Sequence, residues 1–107
     1  MDRYIEIDPV AELTGGDLRE AVVYCLEIGR ISLEERHTRE RMIERRVTAP
    51  QIEGVLRSGA LRSEGLGRDS WRYSAAARGV VVVFTFDIDD EGALLVVITA
   101  IRPARQP

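Results

Sequence analysis

Hydrophobic positions recur at helical spacing in the first half of this chain and at alternating spacing in the second. Leu18, Val22, Cys25 and Leu26 form one stripe, with Asp17 and Glu20 as an N-terminal cap pair and Gly29 as a stop, which predicts a first helix. Ser32 with Glu35 reads as a capping box for a second helix. Its apolar positions are few (Leu33, Met42 and Ile43), so only a narrow face can be core. Thr48 with Gln51 forms a third such start, and Pro50 sits in the first turn, where its missing N–H costs nothing. Ile52, Val55 and Leu56 give this third helix its apolar face, and Gly59 ends it. Tyr4-Ile5-Glu6-Ile7 alternates, as in a short strand or an arm lying on the body.

Strands follow. Residues 60–64 suit a first strand, and Gly65-Leu66-Gly67-Arg68-Asp69 a glycine-rich loop. Residues 70–77 alternate, with Trp71, Tyr73 and Ala75 on one face and Arg72 and Ser74 on the other. Arg78-Gly79 suits a tight turn. Residues 80–88 are apolar on both faces near their start, as in a central strand. Asp89-Asp90-Glu91-Gly92 reads as a hairpin loop, and residues 93–102 as the last strand, closed by Pro103. The fold class is therefore α+β: two to three N-terminal helices packed on a roughly four-stranded antiparallel meander sheet.

The two-sided apolar strands raise a question of cover. If the helices of residues 32–58 cover one face, Val81, Val83, Val96 and Ile98 cannot all be covered there. The other face needs a lid. The N-terminal segment has a stripe that also needs a partner, so it is the favoured lid, with a second copy of the chain as the alternative.

A length of 107 residues is that of a single domain with one real core. Residues 1–29 form an acidic N-terminal extension or helix, and residues 30–102 the main body. Apolar residues make up 45% and charged residues 31%, which excludes a disordered chain. One cysteine, Cys25, excludes an intramolecular disulfide, and its apolar neighbours mark it as a buried small hydrophobe. The start resembles no signal peptide, and no apolar run is long enough for a membrane helix, so a cytoplasmic protein without a membrane partner is expected. The net charge of −3 argues against strong nonspecific nucleic-acid binding. Its distribution matters more: residues 1–29 carry seven acids against two arginines, whereas residues 30–46 carry six arginines against four acids. Every basic residue is arginine, a permanent forked donor that grips phosphate with two bonds.

The candidate chemistry lies in His37-Thr-Arg-Glu-Arg-Met-Ile-Glu-Arg-Arg46. At about 100° per residue, His37, Arg41, Glu44 and Arg45 fall on one side of a helix, while Met42 and Ile43 point toward a core. A titratable imidazole beside fixed cations suits a phosphodiester. His37, the only histidine, is the candidate acid/base for metal-independent RNA cleavage, and Arg41 and Arg45 the candidates for neutralising transition-state charge. Glu44 is a candidate orienter or second acid/base. Arg72 and Arg102 can reach the same phosphate if their faces agree, and Tyr73 or Trp71 can stack a base, although Trp71 alternates in phase with the core. Asp87, Asp89, Asp90 and Glu91 lack the spacing of a calcium loop and read as a solvated turn. No zinc set and no cofactor loop is present in the sequence pattern. The alternative to all of this is a solvated helix face held by ion pairs such as Glu40–Arg36 and Glu44–Arg41.

His37, Arg41-Met42, Arg45 and Val47, then Ile52, Val55-Leu56 and Gly59, resemble the core pattern of domain-of-unknown-function family 4258. Trp71-Arg72-Tyr73, Val82-Val83 and Val97-Ile98-Thr99 fall where that family has its later strand motifs, so the resemblance spans about residues 30–102. Arg46 stands where the family commonly has glycine, and Thr38 where it often has alanine. The bulkier Arg46 leads to the expectation of a bulkier or more regular helix end. Domains of this type resemble the RelE/barnase-like fold of bacterial toxin ribonucleases. The resemblance implies metal-independent RNA cleavage, no cofactor, and a cognate antitoxin or immunity protein as partner. Two other readings stand beside it: a non-catalytic RNA- or protein-binding module of the same fold, and a homodimer in which the arginine helix only solvates.

Overall fold

The computed structural model describes residues 6–102. The elements run α1 (Gly15–Glu27), β1 (Ile31–Ser32), α2 (Arg36–Arg45), α3 (Ala49–Ser58), β2 (Ala60–Leu66), β3 (Trp71–Ala77), β4 (Val80–Asp89) and β5 (Gly92–Ile101). The class is the expected α+β. The sheet has five strands in the order β1-β5-β4-β3-β2, with β2 to β5 an antiparallel meander. The added strand, β1, pairs in parallel with Leu95 and Val96 of β5.

That pairing also corrects the start of α2. Ser32 belongs to β1 and accepts only a 3.4 Å bond from the Glu34 N–H, while Glu35 occupies the cap position without a side-chain bond. In α1 the cap position is Thr14, with Asp17 inside the first turn, where its charge favours the positive end of the helix dipole. The third start is as read: Thr48 and Gln51 close a reciprocal capping box, with Pro50 in the first turn. At the end of α3, a Cβ on Gly59 would stand 2.5 Å from the Val55 carbonyl oxygen and 2.9 Å from that of Ala76, so the crossing from helix to sheet has room only for glycine.

One face of the sheet carries the core. Tyr73, Ala75, Val82, Phe84, Phe86, Leu95, Val97 and Ala100 are buried beneath Leu18, Val22, Cys25 and Leu26 of α1 and Ile52, Val55 and Leu56 of α3. Tyr73, Phe84 and Phe86 form an aromatic cluster with ring centroids 5.7–5.8 Å apart. Burial pushes the Cys25 thiol up to about 11, leaving it an inert core residue at neutral pH. Arg19, missed in the sequence, locks the two helices: it donates to the carbonyls of Leu56 (2.9 Å), Arg57 (2.8 Å) and Gly59, the orphan acceptors at the end of α3.

The acidic segment is therefore not the lid of the second face, as expected; its helix shares the inner face with α3. Its lead-in lies there too, with Ile7 buried, the Pro9 carbonyl accepting from the Trp71 N–H, and the Tyr73 hydroxyl accepting from the Leu13 N–H. Of the strand expected at Tyr4–Ile7, residues 1–5 lie outside the described residues, and Glu6 and Ile7 are not in a strand. Val81, Val83, Leu94, Val96, Ile98 and Ile101 remain half-exposed on the outer face. No described helix is long and apolar enough to cross a membrane.

The remaining helix, α2, packs neither on one face nor on the other but along the edge of β5 beyond β1. A β-bulge in β5 at Ile98 turns two successive carbonyls to that edge. The Thr38 hydroxyl, fully buried, reaches both Val97 and Ile98 oxygens at 2.7 Å, and Arg45 donates to the Ala100 oxygen at 2.7 Å. Of the two positions expected in the core, Met42 packs partly buried against it, whereas Ile43 is 81% exposed, because a helix facing strand carbonyls needs donors on much of its inner side. Nor does Arg46 extend the helix. It takes the left-handed conformation (φ +54°), and the Val47 N–H bonds the Met42 carbonyl across it, the ending for which glycine is the usual residue.

Two stability effects follow. Thr38→Val keeps the shape but removes the one hydroxyl donor at this edge, leaving a buried carbonyl unmet, and urea unfolding should show a loss of about 1–3 kcal/mol. Arg46→Gly removes left-handed strain of about 1–2 kcal/mol against about 0.5–1 kcal/mol of added chain entropy, and the same measurement should show a net gain of roughly 0.5–1 kcal/mol.

Candidate functional site

The edge position of α2 decides where its side chains go. Thr38, Met42 and Arg45 turn inward, so His37, one residue earlier, stands at the boundary between the helix and the outer sheet face. Its side chain is 87% exposed, and its nearest charged neighbour is Glu40, with 3.7 Å between Nδ1 and Oε2.

His37 borders a hollow of ≈ 350 Å³ on the outer face, lined also by Glu35, Arg68, Asp69, Ser70, Arg72, Thr85, Val96 and Ile98. The sheet register builds it: Arg72, Thr85 and Val96 are cross-strand partners on β3, β4 and β5 and so share a face. Thr85 anchors the far wall, bonding the Ser70 hydroxyl at 2.6 Å and the Trp71 carbonyl at 2.7 Å. Neither Arg68 nor Arg72 has an ion pair among the described residues. Gly67 fixes the approach of Arg72: a Cβ there would stand 2.6 Å from Arg72 Nε, so the side chain lies directly against the loop backbone. The hollow is thus lined by one imidazole, two guanidiniums without an ion pair among the described residues, and the carboxylates of Glu35 and Asp69.

Only part of the expected constellation assembles here. Arg72 and His37 line the same hollow. Arg41 and Arg45 border a separate shallow hollow, with His37, Ile98, Thr99 and Ile101. Arg41 bonds Glu44 at 2.8 Å, so Glu44 serves that pair, and it does not line the hollow of His37 and Arg72. Arg45 is first of all the donor to Ala100. Arg102 bonds the carbonyls of Arg45 (2.8 Å) and Arg46 (3.2 Å) at the end of α2 and lines a different hollow, beside Pro50 and Arg78.

Tyr73 is a correction. It is 2% exposed on the inner face, and its hydroxyl is held by Leu13 and Ala11. It cannot stack a base: residues 71, 73 and 75 alternate into the core, which is the face of β3 opposite Arg72. Trp71 packs with the core and donates from Nε1 to the Ser63 hydroxyl at 2.6 Å. Sequence reading missed Glu35, Arg68, Ser70 and Thr85, which come together only through the strand pairing.

Away from this face, the acidic hairpin is tied rather than merely solvated. Arg30 bonds Asp89 and, at 3.0 Å, Glu91; the guanidinium's hydrogen bond holds the Asp89 carboxyl below its usual range. Among the described residues no group of three His, Cys, Asp or Glu is placed to hold a metal ion. No protein-family model, no curated protein and no solved structure matches this chain.

His37 and Arg45, neighbours on one helix, should separate in denaturant melts. His37→Ala should change stability by less than about 0.5 kcal/mol, as at an exposed surface position. Arg45→Ala should cost about 1–3 kcal/mol through the unmet Ala100 carbonyl.

Proposed function

We propose that this domain binds a single RNA strand across its outer sheet face and cleaves it, without metal, at the hollow between His37 and Arg72. The observation that carries this reading is the convergence of the lone imidazole with the unpaired Arg68 and Arg72 over a half-exposed apolar floor. Guanidinium forks hold the phosphodiester, and Val96 and Ile98 offer apolar surface to the base. Cleavage needs a group to take the proton from the 2′-hydroxyl as that oxygen attacks phosphorus, and another to protonate the departing 5′-oxygen. The products are a 2′,3′-cyclic phosphate and a 5′-hydroxyl. His37 and Glu35, which border the same hollow, are the acid/base pair, in place of the pairing first expected with Glu44. Arg68 and Arg72 offset the charge that grows on the phosphoryl oxygens.

A second reading, RNA binding without cleavage, draws on a specific observation. The His37 ring is held by a single 3.7 Å contact to Glu40, a loose mounting for an acid/base group.

One assay separates the two. A labelled single-stranded RNA is incubated with the protein in excess chelator. The expected outcome is cleavage that falls by at least about 100-fold in His37→Ala, with the melting temperature unchanged, while Arg72→Ala weakens RNA binding. RNA retained but uncut by the unmodified protein would establish the second reading, and no retention at all would end both.

A further inference from the structure

His37 stands between two hollows rather than beside one. The second runs along α2 toward its C-terminus and also measures ≈ 350 Å³. The two share His37 and Ile98, so the imidazole and one apolar side chain form the ridge between them.

Their construction repeats. The first has a guanidinium wall of Arg68 and Arg72, the Thr85 hydroxyl, and a floor of Val96 and Ile98. The second has a guanidinium wall of Arg41 and Arg45, the Thr99 side chain, and a floor of Ile98 and Ile101. The bulge at Ile98 causes this: it lets Val96, Thr99 and Ile101 all face outward, in line with Thr85, Val83 and Val81 on β4. Each volume lies at the small end of the range of about 300–1,000 Å³ for ligand clefts, so each takes one small unit. Arg41 lies one helical turn, about 6 Å, from His37 along α2. Its bond to Glu44 occupies one terminal nitrogen, Nη1, of a five-donor group.

A ligand that fills both hollows must pass the imidazole and must present an anion and an apolar face twice over. A nucleic-acid strand has that repeat; a mononucleotide does not. We propose that the hollow of Arg41, Thr99 and Ile101 is a subsite for the nucleotide adjoining the phosphodiester bound at His37, so that the smallest complete ligand is a dinucleotide. This rests on the RNA reading of the first hollow and adds to it the length of the ligand and the residues that measure it. Arg41 is then a binding residue of the neighbouring unit, not a partner of His37 in the chemistry.

The test is an NMR titration of the full chain with two probes: a mononucleotide 3′-phosphate, and a dinucleotide whose first sugar is 2′-deoxy and therefore cannot be cleaved. The expected result is that the mononucleotide shifts the amides of Ser70 and Thr85 alone, whereas the dinucleotide also shifts those of Thr99 and Ile101. Arg41→Ala should weaken the dinucleotide about 5–10-fold, the loss of one charge-assisted contact, without changing mononucleotide affinity. Its melting temperature should match that of the unmodified chain, since Arg41 is exposed. If both probes bind the first hollow equally and Arg41→Ala changes neither, the subsite is wrong and the first hollow stands. If neither probe shifts either hollow, the RNA reading is wrong and the subsite falls with it.

Discussion

The open edge of β5 is the constraint around which the rest of the molecule is arranged. β1 pairs only with Leu95 and Val96, and the carbonyls of Val97, Ile98 and Ala100 beyond it would otherwise face water as a template for another strand. The chain meets them with side chains from a helix: the Thr38 hydroxyl, within reach of the first two, and Arg45 for the third. Arg102 returns from the end of the last strand to bond the carbonyls that close that helix. Because α2 is held by polar bonds at an edge, it forms a wall to the outer face and leaves that face open. The hollows beside His37 exist for that reason.

The same constraint explains which parts of the fold were legible in the sequence. Regular periodicity carried most of it: the stripes of α1 and α3, the alternation of β3, the two-sided start of β4 and the Thr48–Gln51 cap are local patterns with local causes. Ser32 and Ile43 were misread because their roles are not local. Ser32 is drawn into a parallel pairing with residues more than sixty positions away, and Ile43 lies exposed because the opposite side of its helix answers to hydrogen-bond acceptors. Thr38 is the most informative case. As a lone small polar residue in an arginine-rich helix it carries no signal, yet it is among the most completely buried side chains in the chain.

The candidate site divides along similar lines. His37 is identifiable by being the single imidazole, and Arg72 by its alternation with the core positions of β3. Tyr73 fails by that same alternation, which sends neighbours in sequence to opposite faces of a sheet. Glu35, Arg68, Ser70 and Thr85 come from a helix start, a loop and a central strand, and only the cross-strand register brings them to one place. The helix arithmetic that grouped His37 with Arg41 and Arg45 was correct as geometry. It gave no account of what each guanidinium already holds.

The extra residue in β5 also sets how this chain tolerates length changes. With the bulge, Val97 and Ala100 both point into the core although three positions separate them. Deleting Ile98 would close the bulge and leave Val97 inward, Thr99 outward and Ala100 inward in plain alternation, with the pairings of Val97 to Phe84 and Thr99 to Val83 kept. What would go is one of the two successive carbonyls that stand within reach of the Thr38 hydroxyl, and with it part of the seat of α2. The bulge therefore serves the edge and not the interior: the inner face would survive its loss, and the docking of the helix would not.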